Sequence, residues 1–138
     1  MSDVLAIQDV ISRYTNAVAR REWAAIAATF APKATWEVVG GPYPFKLEGA
    51  AIGPGLRQTL ETTFCLIQLI TPPSIEVDGT RATAHLNIHE FGEMLDRKSH
   101  FEASGTYDDV LEKIGGRWLF VSRLCTIIKF RLVSLTAA

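Results

Sequence analysis

The hydrophobic pattern of this 138-residue chain changes period once, near Cys65, and that change restricts the folds open to it. Before it, Val4, Ile7, Ile11, Tyr14 and Val18 recur at spacings of three and four, one stripe of an amphipathic helix, with Ser2 as its N-cap. A second helix is expected from about Glu22 to Phe30, where Trp23, Ile26, Ala27 and Phe30 share a side and Pro32 forbids continuation. Thr35 to Val39 reads as a strand, Gly40-Gly41-Pro42 as a break and Tyr43 to Leu47 as a short second strand. Gly53-Pro54-Gly55 precedes a third helix marked by Leu56, Leu60 and Phe64.

Beyond Cys65, turn signals at Pro72-Pro73, Asp78-Gly79, Asp96-Arg97 and Gly115-Gly116 divide β-rich sequence into four long strands, at about 65–77, 81–93, 99–112 and 118–130. The first is interrupted or bent at its prolines, which cannot donate to a ladder. Helices followed by an antiparallel meander predict an α+β fold in which three N-terminal-half helices pack on one face of a curved, mainly antiparallel sheet. The length fits a single domain over 1–138, with a core that needs no metal or disulfide.

The chemistry that composition permits is narrow. A net charge of -1 gives no electrostatic footprint for nucleic acid or an anionic membrane, so a neutral small molecule is the expected partner. Cys65 and Cys125 sit in apolar runs without metal-finger spacing and read as buried free thiols. No apolar run reaches the ~18 residues a bilayer requires, and Met1-Ser2-Asp3 lacks the basic and apolar regions of a signal peptide; a cytoplasmic protein is expected. There is no Gly-x-Ser-x-Gly elbow, and Gly53-Pro54-Gly55 lacks the lysine and hydroxyl of a phosphate loop, so no cofactor is implied. The apolar tail Ile127 to Val133 makes a homodimer through the sheet the expected assembly, although it equally suits the chain's own core.

Imidazole is the side chain best suited to proton exchange near neutral pH. In Thr83-Ala84-His85-Leu86-Asn87-Ile88-His89, alternation puts His85, Asn87 and His89 on one strand face and Ala82, Ala84, Leu86 and Ile88 on the other. Four residues at ~3.3 Å separate the two histidines by roughly 13 Å, too far to share a metal, so no metal is expected. If their face turns inward they are the candidate general acid and base; if outward, they meet solvent or a partner subunit. His100, beside Lys98, reads as an exposed loop-edge residue. Asp108, Asp109 and Glu112 approach the Gly115-Gly116 turn and read as solvated charge. Arg123 is placed between Val121 and Cys125 on one face, with Phe120, Ser122 and Leu124 on the other, and needs either an acidic partner or an acidic ligand group.

The order Tyr14, Arg21-Glu22-Trp23, Phe30-Ala31-Pro32 and Ala34-Thr35-Trp36 resembles the start of SnoaL-like proteins of the NTF2-like superfamily. Ile75 to Gly79, Gly105 to Asp109 and Gly116-Arg117-Trp118 look like later landmarks of that family. The superfamily includes scytalone dehydratase, polyketide cyclases and ketosteroid isomerases. The resemblance implies a cystatin-like cone around a pocket and cofactor-independent dehydration, isomerisation or cyclisation of a small hydrophobic or polycyclic molecule.

It also implies an aspartate three residues before the acid-Trp pair and a histidine three residues before a threonine; here those positions hold Ala19 and Gln68. Polar pocket positions of scytalone dehydratase fall on Val38, Gly105 and Tyr107, of which Tyr107 alone keeps a polar tip. The candidate catalytic set is therefore His85, His89 and Tyr107, with Tyr14, Val18, Trp36, Gln68 and Phe101 lining the ligand. Loss of the Asp-His pair leaves a non-catalytic binding or dimeric assembly module as the alternative.

Overall fold

The computed structural model describes residues 2–135; Met1 and 136–138, the ends of the expected single domain, lie outside them. Helix α1 spans Asp3–Arg20, and Ser2 caps it by accepting a hydrogen bond from the Leu5 N–H at 3.2 Å. Its apolar stripe buries Ile7, Ile11, Tyr14 and Val18, while Val4 remains exposed. Arg21 ends the helix in a left-handed conformation, φ 55°, and its guanidinium donates to the carbonyls of Leu60 and Thr63. That one residue satisfies helix-end carbonyls and ties α1 to the segment after the third helix.

Helix α2 is only Trp23–Ala27, shorter than expected, because Phe30 already opens strand β1, Phe30–Val39. Strand β2 is Phe45–Glu48, and helix α3, Ile52–Leu60, takes Gly53-Pro54-Gly55 into its first turns rather than following them. Pro54 is tolerated there because the first N–H groups of a helix have no intrahelical acceptor. The expected first long strand is two, β3 (Thr63–Ile70) and β4 (Ser74–Asp78), since Pro72 and Pro73 interrupt the ladder; both pair with β5 (Arg81–Met94). Strands β6 (Ser99–Ile114) and β7 (Arg117–Ser134) complete a sheet of order β2-β1-β7-β6-β5-β3. All pairs are antiparallel except β1 with β7, so the α+β fold carries a curved mixed sheet with the helices on its concave side.

Two glycines stand where bulges bend this sheet. A Cβ at Gly105 would lie 2.0 Å from the Thr126 carbonyl oxygen, beside the shift that leaves Ile128 unpaired and exposed. A Cβ at Gly92 would meet the Cys65 carbonyl oxygen at 2.0 Å, beside the shift at Phe64. Strands that cross so closely admit no side chain, which is how the sheet curls tightly enough to hold a cavity.

A third bulge changes the reading of β7. The pairs Leu111 with Phe120 and Val110 with Ser122 leave Val121 extra, so Phe120 and Arg123 both face inward although alternation placed them on opposite faces.

Candidate functional site

Between the helices and the sheet lies a cavity of about 170 Å³. Tyr14 and Val18 of α1, Trp36 and Val38 of β1, Leu56 and Leu60 of α3, and Phe101, Ala103 and Tyr107 of β6 form its walls. Exposed Gly41, Pro42 and Tyr43 contribute at its rim, so it opens beside the β1–β2 loop. Trp36 stacks on Phe45 with ring centroids 4.6 Å apart. Tyr14, Val18, Trp36, Gln68, Phe101 and Tyr107 therefore come together on one wall system, as strand parity and the helix stripe require.

The histidines do not join them. On β5 the inward set is Ala82, Ala84, Leu86 and Ile88, so His85 and His89 fall on the convex face. His85 is exposed and its Nδ1 lies 2.6 Å from Oδ1 of Asp108, its cross-strand neighbour. His89 Nδ1 lies 2.8 Å from the Ser104 hydroxyl. Neither lines the cavity, and their placement as catalytic acid and base is corrected: the curl of the sheet turned their face outward. Ala19 is likewise exposed on α1.

The next residue of inward parity on β5 is Glu90, missed by the sequence reading although one further step of the Ala82 to Ile88 alternation reaches it. It is the only residue with a charged side chain among the described residues lining the cavity. Burial raises its pKa, opposed first by the Gln68 hydrogen bond and then by His89. Gln68 Nε2 donates to Glu90 Oε2 at 3.1 Å and to the Tyr107 hydroxyl at 3.2 Å, while Gln68 Oε1 is buried without a partner. The Trp36 indole N–H is buried and unpartnered as well. Burial pushes the Cys125 thiol up to about 12, which keeps it a neutral wall residue rather than a nucleophile.

Behind the wall lies Arg123, with no exposed side-chain surface. Its Nε is 3.0 Å from Oδ1 of Asp109, also fully enclosed, but the contact is not aligned as a hydrogen bond. The guanidinium carbon instead lies 3.7 Å from the Tyr107 ring centroid, 4.3 Å from that of Tyr14 and 4.5 Å from that of Phe120. Burial pushes Asp109 up to about 6 while Arg123 pulls the other way. Asp109 is therefore not the solvated charge its nearness to the hairpin turn implied; it shares the inward parity of Phe101, Ala103 and Tyr107. Burial also raises both phenols, so Tyr14 and Tyr107 stay neutral. The arrangement is an apolar chamber with one carboxyl, one amide and two phenols at its wall, backed by a neutralised ion pair. Among the described residues no group of three His, Cys, Asp or Glu can hold a metal, and no helix is long and apolar enough to cross a membrane.

Several solved structures share this architecture. A hexachlorocyclohexane dehydrochlorinase, LinA type 2, superposes with a TM-score of 0.83 at 18% identity, covering 97% of this chain and 90% of that one. A Novosphingobium aromaticivorans protein provisionally named as a scytalone dehydratase gives 0.78 at 20% identity, covering 100% and 95%. A Nostoc punctiforme protein described as having a cystatin-like fold gives 0.74 at 19%, covering 91% and 90%. At these identities the likeness establishes the fold. No curated protein matches the chain. The family model for the SnoaL-like domain matches residues 1–124, nine-tenths of the sequence, and the chain belongs to that family.

Proposed function

We propose that this protein encloses a small, mainly apolar molecule and performs cofactor-independent proton transfer on it, of the lyase or isomerase type, with Glu90 as the acid-base group. The observation that carries the reading is a carboxyl at the wall of an apolar cavity whose pKa is raised by burial. An acid tuned toward neutral pH exchanges protons most efficiently there. Gln68 fixes one carboxylate oxygen and also donates to Tyr107, so this amide orients the pair without titrating. The cavity of about 170 Å³ resembles in size the ~150 Å³ chamber known to hold benzene, which favours a ligand of about one ring over a large polycycle. Two of the structural relatives are named as a dehydrochlorinase and, provisionally, as a dehydratase. Both names denote eliminations, in which a base removes a proton as a leaving group departs.

Solvent-deuterium incorporation into a panel of single-ring ketones, alcohols and halides, followed by NMR, tests this reading. Glu90→Gln should lower the exchange rate at least ~100-fold. The same variant should be more stable than the natural chain near neutral pH, because a carboxyl with a raised folded pKa costs stability above its unfolded value. Undiminished exchange in Glu90→Gln would remove Glu90 from the mechanism. The second reading, binding without turnover, draws on Ala19 and Gln68 standing where the family resemblance implies an Asp-His pair; it predicts bound probe without exchange. Exposed Leu69, Ile128 and Leu132 support a homodimer through the sheet, which light scattering on the purified chain would test.

A further inference from the structure

Among the described residues Glu90 meets no cationic side chain inside the cavity, since His89 acts on it from the opposite face of the strand. Arg123 is committed to Asp109 and enclosed by three rings, and no lysine, arginine or histidine lines the cavity. An ionised carboxylate at an apolar wall is costly unless a positive group meets it. A second acceptor stands beside it, because Gln68 is 8% exposed and its Oε1 has no partner, while its Nε2 is already spent on Glu90 and Tyr107. Two neighbouring acceptors, one of them anionic, call for a ligand group that carries several donors and a positive charge. The rest of the wall is rich in aromatic rings, among them Tyr14, Trp36, Phe101 and Tyr107, whose faces suit both an apolar ring and an adjacent cation.

We infer that the molecule this cavity takes is a small organic amine, its ammonium group held by the Glu90 carboxylate and the Gln68 carbonyl and its single ring packed against the aromatic wall. The inference rests on the proposed reading of the cavity as a ligand site. An alcohol or a neutral ketone satisfies at most part of this acceptor set and leaves the negative charge uncompensated.

Calorimetric titration of the natural chain near neutral pH with benzylamine, N-acetylbenzylamine, benzyl alcohol and toluene tests the inference. Four such probes share one ring and differ in charge and donors. Benzylamine should bind at least tenfold more tightly than the other three, as a charge-assisted hydrogen bond provides. In Glu90→Gln that advantage should vanish while toluene affinity stays within about twofold. Gln68→Leu should reduce the advantage severalfold. If toluene and benzyl alcohol bind as well as benzylamine, the amine inference is overturned and the ligand cavity stands. If none of the four binds, both the inference and the cavity reading fail. The N-acetylbenzylamine arm needs no variant, so the inference remains falsifiable even if Glu90→Gln does not fold.

Discussion

Cutting the buried pair Asp109–Arg123 from its two ends should give unequal results. Both side chains have no exposed surface, and among the described residues their 3.0 Å contact is the nearest compensation for either charge, with the rings of Tyr14, Tyr107 and Phe120 around the guanidinium. Asp109→Leu leaves a guanidinium that cannot lose its proton, and breaking a buried pair in this way costs about 3–5 kcal/mol. For a domain of this length that is roughly 10–20 °C in melting temperature. Arg123→Met leaves a carboxyl that can accept a proton, so its cost depends on pH. A carboxyl with a raised folded pKa loses stability as pH climbs from the unfolded value, 3.8, to the folded one, about 6 in the natural protein. Without Arg123 the folded value rises further, so the variant keeps losing stability above pH 6, where the natural chain has stopped. The penalty of Arg123→Met should therefore grow between about pH 6 and 8, while that of Asp109→Leu stays flat. Asp108 and His85 also act on Asp109, but they are unchanged in Arg123→Met and cancel in its comparison with the natural chain. The double variant should lie within ~2 kcal/mol of the natural protein, because an apolar pair of similar volume needs no compensation. Urea unfolding at several pH values measures all four species. A double variant whose loss equals the sum of the singles, or a cost below about 1 kcal/mol for Asp109→Leu, would refute the reasoning.

Two further perturbations test other parts of the structure. Gly105→Ala places a Cβ against the Thr126 carbonyl oxygen, where neither backbone can yield cheaply, and should cost at least about 1–3 kcal/mol in denaturant unfolding; a change under ~0.5 kcal/mol would mean the strands there do not cross so closely. His85→Ala and His89→Ala remove side chains of the convex face, so stability should shift by about 0.5 kcal/mol or less, with probe binding and proton exchange unchanged. A loss of exchange in either would return the histidines to the mechanism.

The residues that line the cavity were more legible than the residues that charge it. Tyr14 and Val18 followed from the α1 stripe, and Phe101 and Tyr107 from two-residue alternation on β6. The same alternation, carried one step further on each strand, reaches Glu90 and Asp109. Carboxylates near turns are usually solvated, and only the depth of the curled sheet buries this one.

What the sequence by itself determined is the division of α1, β5 and β6 into faces, the order of helices and strands, and the positions where glycine or proline interrupts them, because these follow from local sterics and from periods of 3.6 and 2. Only the tertiary structure decided which face became interior. His85 and Glu90 sit on opposite faces of one strand; alternation marks the Ala82 to Ile88 face as the apolar one, but only the curl of the sheet carries its next step, Glu90, onto the cavity wall. On β7 a single extra residue, Val121, inverted the parity and brought Arg123 in beside Phe120. Such inversions arise from strand register across the sheet, a long-range property that short-range patterning does not encode.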